Sequence, residues 1–211
     1  MRSVKSIDIQ KTDKRSFIEE ARHLQIIEAA IDVIAAVGYP QASLAKIAEH
    51  ASISTSLILY HFKDKDALMA AVLGTIVAEW EAPALQAMQQ HTSSAAKLSS
   101  YIEARLVYIG TRPKQSIVMV ELLFLTRLAD NKQSYRTEEN GFELGDLETL
   151  LVEGQQNGEF KAFNSEHMAM MIRSTIDQFL GYSQVPGIDL EQYVKNLLEW
   201  YGVLIAKKGK L

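Results

Sequence analysis

A chain of 211 residues, 47% of them hydrophobic, suits one compact unit or a small domain joined to a larger one, and it can bury a sizeable core. The absence of cysteine excludes disulfides, zinc fingers and thiol catalysis, and a formal net charge of −4 argues against capture of nucleic acid by a broad positive field. Residues 1–65 nevertheless hold 9 Lys+Arg against 8 Asp+Glu, so what basic balance exists lies toward the N-terminus. No apolar run near the start has the form of a signal peptide, and no stretch is expected to be long and uncharged enough to span a bilayer. A cytoplasmic location without a membrane partner is the expectation.

In chain order, residues 1–15 are polar, mixed in charge and without helical period, and are expected to form a mobile arm. Ser16-Phe17-Ile18-Glu19 fits a capping box, and Ile26, Ile27, Ala30, Ile31 and Ile34 continue a helical stripe until Gly38 stops it. From Ser43 to Leu68 the sequence reads as two short helices across a tight turn and the start of a third. Two helices crossing at a steep angle need a small side chain at the contact and an apolar wedge beneath it. Ala48 supplies the first, and Ile47, Ile53 and Ile58 the second. Ser54 is the expected cap of the second helix, whose outer face would carry Thr55, Ser56, Leu59 and Tyr60. Asp64 is the expected cap of the third, with Lys65 beside backbone N–H groups that favour an anion.

That stretch resembles the DNA-binding domain of the TetR (tetracycline-repressor) family. The resemblance rests on AAIDVIAAVGY at the end of the preceding helix, the Ile47-Ala48 pair, the run Leu57 to Tyr60, and HF-x-x-K-x-x-L from His61 to Leu68. Two positions depart from the family pattern. Ser52 stands where the turn usually has glycine, so a backbone with φ > 0 there would carry a steric cost. Leu59 stands where most members have a phosphate-facing tyrosine; Tyr60 follows at once, as in the subgroup of pyrimidine-utilisation regulators, to which Trp80-Glu81-Ala82-Pro83 is also similar. The resemblance implies that Ser43, Lys46, Tyr60, His61 and Lys65 position DNA phosphates while Thr55 and Ser56 reach base edges, with Ser54 also among the DNA-binding residues.

Beyond Asp66, helical period continues through Leu68, Val72, Ile76 and Trp80, and Pro83 is expected to interrupt it. The remainder reads as about five helices with breaks near 91–94, 112–113, 130–134, 157–164 and 186–187, without an alternating strand pattern. Residues 115–129 are apolar nearly all round and predict a central helix, in which Glu121 and Arg127 either pair with Arg105 or Asp177 or turn into a cavity. Gly158-Glu159-Phe160 followed by Asn164 is similar to a turn and helix start of the same family. The last two helices, about 165–182 and 189–206, carry apolar residues on more than one side. In the family, such a pair forms the four-helix interface of a homodimer.

Catalysis finds little support. His23, His50, His61, His91 and His167 show no H-E-x-x-H or H-x-H spacing, and there is no glycine-rich phosphate loop and no G-x-S-x-G elbow. The expectation is an all-α chain that is no enzyme and needs no cofactor or metal: a mobile arm over 1–15, a three-helix helix-turn-helix DNA-binding domain over 16–65, and a larger helical ligand-binding and dimerisation domain over 66–211. Its expected partners are a double-stranded DNA operator, a second copy through the last two helices, and a small-molecule effector whose identity the sequence does not give. Repression relieved by the effector is the expected action. The effector site is expected among Trp80, Arg105, Tyr108, Met119, Glu121, Phe124, Arg127, Met171, Asp177 and Phe179, with Trp80 open to ordinary core packing. An activator or auxiliary regulator whose body binds a protein is one alternative, and a helical carrier or enzyme is another.

Overall fold

The computed structural model describes residues 17–130, 144–183 and 185–207, with the side chains of Phe17, Leu144 and 123–130 excepted. The expected arm, the Ser16 end of the capping box, and the side chains of Phe124 and Arg127 lie outside that description.

Among the described residues the fold is nine helices and one isolated bridge, between Phe160 and Ala206. Helix α1, Phe17–Val37, buries Ile26, Ile27, Ala30, Ile31 and Ile34. It ends where Gly38, at φ 78°, returns its N–H to the Ile34 carbonyl at 2.8 Å, a conformation that glycine adopts without a Cβ penalty. A single 3-10 turn, Tyr39–Gln41, leads to α2, Leu44–His50, and α3, Thr55–His61. Between α2 and α3 the N–H of Ile53 bonds the Ala48 carbonyl and that of Ser52 the Glu49 carbonyl. This is the pair of bonds that closes a helix around a left-handed residue, and Ser52 has φ 54°. Ile47, Ala48 and Ile58 are buried beneath the crossing, with Ile53 half-buried beside them.

Helix α4 runs from Lys65 to Gln89 and contains Pro83, so the expected interruption does not occur. The proline removes one backbone donor, but Trp80, Glu81 and Ala84 are buried on either side of it, and this packing holds the helix together across the missing bond. The membrane expectation is corrected on the same helix. By length and composition α4 is apolar enough to cross a bilayer. Here it buries Leu68, Val72, Ile76 and Trp80 within the protein.

Five further helices complete the body: α5, Ser94–Thr111; α6, Pro113–Asp130; α7, Leu144–Gln156; α8, Ser165–Tyr182; and α9, Leu190–Ile205. The central one is α5, against the expectation for 115–129. It packs on α4, α6, α7, α8 and α9 and buries Leu98, Tyr101, Ile102, Arg105, Leu106 and Ile109. Helix α6 lies between α1 and the 3-10 turn on one side and α4, α5 and α8 on the other, with Val118 buried and Val120 exposed. The first three helices and the start of α4 thus form a small head, whose turn and first helix rest on α6.

Candidate nucleic-acid interface and the buried cluster of the body

Side-chain caps set the register of the head. The Ser43 hydroxyl accepts from Lys46 N–H at 3.3 Å, Ser54 from Leu57 N–H at 3.2 Å, and Asp64 from Ala67 N–H at 2.8 Å. A hydroxyl that accepts in this way keeps its own proton to donate, so Ser43 and Ser54 are both capped and available to an outside acceptor. Because Ile58 is the buried residue of α3, Ser56, Leu59 and Tyr60 turn outward, with Tyr60 73% exposed and Thr55 half-buried. Lys46 is exposed on α2. His61 is half-buried, edge-on to Tyr60 at 5.2 Å and to His23 at 6.3 Å between ring centroids.

Lys65 is placed differently from the simple expectation of an anion at the start of α4. Its ammonium lies 4.2 Å from the centre of the Tyr39 ring and donates to the Tyr39 carbonyl at 3.4 Å, while Asp64 already occupies one of the free N–H groups. Tyr39 in turn donates its N–H to Glu121 Oε2 at 2.6 Å. A second contact reaches the head from α6: Lys114 Nζ lies 2.6 Å from Asp32 Oδ1, and Asp32 Oδ2 lies 3.3 Å from His50 Nε2. Sequence reasoning missed Tyr39, Asp32 and Lys114. The Glu121–Tyr39 and Lys114–Asp32 contacts each join residues 82 positions apart, and no local pattern signals them.

In the body, Arg105 is fully buried. One terminal nitrogen donates to the Trp80 carbonyl at 2.8 Å and the other to Glu81 Oε1 at 3.1 Å. The guanidinium lies 4.6 Å from the Trp80 ring centre and 5.1 Å from that of Tyr101. Burial lowers its pKa, and Tyr101 and Glu81 oppose that shift. Its Nε has no hydrogen-bond partner. Tyr108 stands edge-on to Trp80 at 5.4 Å and reaches Glu79 at 3.5 Å; burial first, and then that carboxylate, push its phenol pKa well up.

The structure therefore brings together Trp80, Arg105 and Tyr108, with Met119 and Phe179 also buried in the same core. The other described candidates are elsewhere. Glu121 bonds the head and pairs with neither Arg105 nor Asp177; Arg105 pairs with Glu81 of α4. Asp177 is exposed and pairs with Arg173 one turn before it at 3.2 Å, and Met171 is 41% exposed on α8. A separate cavity of about 320 Å³ lies between the start of α5, the Phe160 turn and α9, lined by Leu98, Ile102, Phe160, Leu198, Tyr201 and Ile205. No effector candidate from the sequence lines it. Among the described residues no group of three or more acidic or histidine side chains is placed to hold a metal ion.

Comparison with known proteins agrees with this geometry. Residues 26–72 match the family of bacterial regulatory proteins, tetR family. The HTH-type transcriptional regulator RutR of Escherichia coli K12 is 27% identical over 183 residues, covering 83% of this chain and 81% of that protein. The fatty acid metabolism regulator protein of Bacillus subtilis 168 is 27% identical over 158 residues, covering 74% of this chain and 80% of that one. Among solved structures, the fatty acid degradation regulator FadR from Bacillus halodurans superposes with a TM-score of 0.69 at 25% identity, covering 84% of this chain and 93% of its own.

Proposed function

We propose that the chain is a regulator of the tetR family of bacterial regulatory proteins, a dimeric repressor whose two heads read a partly palindromic operator and whose body releases it when a small molecule binds. It is a DNA-binding transcriptional regulator and no enzyme. The observation that carries the proposal is the outward face of α3, where Ser56 and the 73% exposed Tyr60 project beside Thr55 from a helix anchored by the buried Ile58. Thr55 and Ser56 are short enough to reach base edges in the major groove; Ser43, Lys46, Tyr60, His61 and Lys65 hold the phosphates, with Ser54 beside them at the start of α3.

Dimerisation is supported by α8 and α9. Trp200, at 62% exposure, Val203, at 69%, and Leu204 form one exposed stripe of α9 that flanks its buried Val194, Leu197 and Tyr201. Met170, Met171 and Tyr182 are exposed on α8. A monomer gains nothing from exposing this much apolar surface, whereas a two-fold copy covers it and gives two recognition helices about 34–36 Å apart. Met171, expected at the effector site, belongs with this face.

We assign the effector site to the buried cluster of Trp80, Arg105, Tyr108, Met119 and Phe179. An effector with an acceptor oxygen would satisfy the unpartnered Nε of Arg105, a buried donor that is otherwise costly. The effector acts only through its differential affinity for the operator-fitting and operator-releasing states. The protein then works where DNA is, in the cytoplasm.

Tyr60→Ala combined with Lys65→Ala tests the reading. Electrophoretic mobility shifts are expected to be lost while sedimentation still reports a dimer and the far-ultraviolet helical signal is kept. Unchanged operator affinity in the double variant would contradict the assigned contacts.

A further inference from the structure

Helix α6 packs on α1 and the turn after it as well as on α4, α5 and α8, and two polar contacts join it to the head. Lys114 and Glu121 are seven residues, two turns, apart, and Val118 is buried between them, so one stripe of α6 faces α1 and the turn after it. Of the two contacts, Lys114 with Asp32 is the weaker anchor, since the Lys114 side chain is 63% exposed and water competes for it. Glu121 is half-buried, and its carboxylate takes a backbone N–H at 2.6 Å, a charge-assisted bond of fixed direction.

The location of that bond matters. The carboxylate lies beside Gly38, where an added Cβ would stand 3.7 Å from Glu121 Oε1, at the C-terminal end of α1. A helix C-terminus repels negative charge, so the carboxylate is held there by the donor it finds, the N–H of Tyr39. The carbonyl and ring of Tyr39 hold the Lys65 ammonium at the first residue of α4. A continuous chain of contacts therefore runs from α6 through Glu121 and Tyr39 to Lys65.

We propose that Glu121, acting through Tyr39, is the positioning residue that fixes the head on the body and sets the place of Lys65 at the start of α4. This rests on the proposal that the head reads DNA and the body takes an effector. Helix α6 packs on α4, α5 and α8 as well as on α1, so a displacement of α6 in the body bears on the head, and Glu121 is where that contact becomes a directed, charge-assisted bond to the residue that holds Lys65. Sequence patterning left Glu121 open between an ion pair and the effector site; in the fold its carboxylate bonds the head.

The chain has no cysteine, so introduced cysteines label cleanly. Glu49→Cys on α2 and Glu103→Cys on α5, both exposed positions, would carry a spin-label pair, with the labelled protein diluted in unlabelled protein so that distances within one protomer dominate. The wild-type background is expected to give one narrow head-to-body distance. Glu121→Ala is expected to broaden and shift it, Glu121→Gln to do so less because its amide oxygen still accepts without charge, and hydrogen exchange at the Tyr39 amide to accelerate in the same order. Affinity for a DNA fragment selected by the wild-type protein is expected to fall roughly tenfold in Glu121→Ala, which is ~1.4 kcal/mol. A Glu121→Ala protein that melts as the wild type and keeps its narrow distance overturns the proposal. If that variant does not fold, an unchanged distance and unchanged Tyr39 exchange in Glu121→Gln overturn it. Failure of the DNA-reading proposal would show separately, as a wild-type protein that selects no fragment, and the distance still decides the role of Glu121.

Discussion

Ser52 holds φ 54° at the turn that sets the angle between α2 and α3, without the glycine that makes such a backbone inexpensive. Ser52→Gly is therefore expected to stabilise the protein by about 1 kcal/mol, read as a rise of about 2–4 °C in melting temperature. The exposed Ser52 side chain has little packing to lose. The sequence made this strain legible because the motif around the turn fixes which residue must turn left-handed. Asp32 is the opposite case, since nothing local marks it. The hydrogen bond from Lys114 first, with help from His50 and against burial, holds its carboxyl below 3.8. A folded-state pKa lowered in this way adds stability that is full above 3.8 and lost as the pH falls through the folded value. Because the pair is substantially exposed, we expect no more than about 1 kcal/mol. Lys114→Ala is expected to flatten that part of the acid limb in unfolding titrations, and an identical acid limb would show that the pair contributes nothing. Arg105 lies between these two cases. The sequence named it as a possible partner of Glu121 or Arg127, whereas its partner in the fold is Glu81, one helix away and unmarked by any local pattern.

At the scale of helices, the breaks between described segments were readable because caps and stops are local chemistry; the expected break near 130–134 lies outside the described residues. Asn164 accepts from His167 N–H at 2.7 Å and Asp189 from Gln192 N–H at 2.9 Å, and they start α8 and α9 within a residue of the expected positions. Pro83 misled because its cost, about 3 kcal/mol, is local while the packing that offsets it comes from other helices. The central role went to α5 for a similar reason. Periodicity reports how apolar a helix is, and α5 hides Arg105 and two tyrosines among its buried residues. Close approach between elements was equally hidden. The Phe160 ring lies directly over Gly154 of α7, so that a Cβ there would collide with it. Gly154→Ala is expected to cost about 1–3 kcal/mol by overpacking, measured as a lower urea midpoint. An unchanged midpoint would mean that the Phe160 turn yields freely.

For the molecule as a whole, two heads are useful only if something holds them at operator spacing. The Trp200, Val203 and Leu204 stripe is the surface assigned to that task. Val203→Glu is expected to leave the protomer folded, because the side chain is exposed, and to shift sedimentation toward the monomer. Operator affinity would fall by roughly 10²-fold or more as the linked second head is lost. A Val203→Glu protein that remains a dimer would move the interface elsewhere. The architecture of head and body was legible from the helix-turn-helix motif onward. The way the two are joined was not, because Glu121, Tyr39, Lys114 and Asp32 meet only in the folded chain.

The most direct test of a dimeric operator reader is selection of genomic DNA fragments by the purified protein at stated salt, since affinity depends steeply on ionic strength. A short inverted repeat whose half-sites are centred about one helical turn apart, protected by one dimer, is the expected result. A folded dimer that enriches no site even at low salt would contradict it.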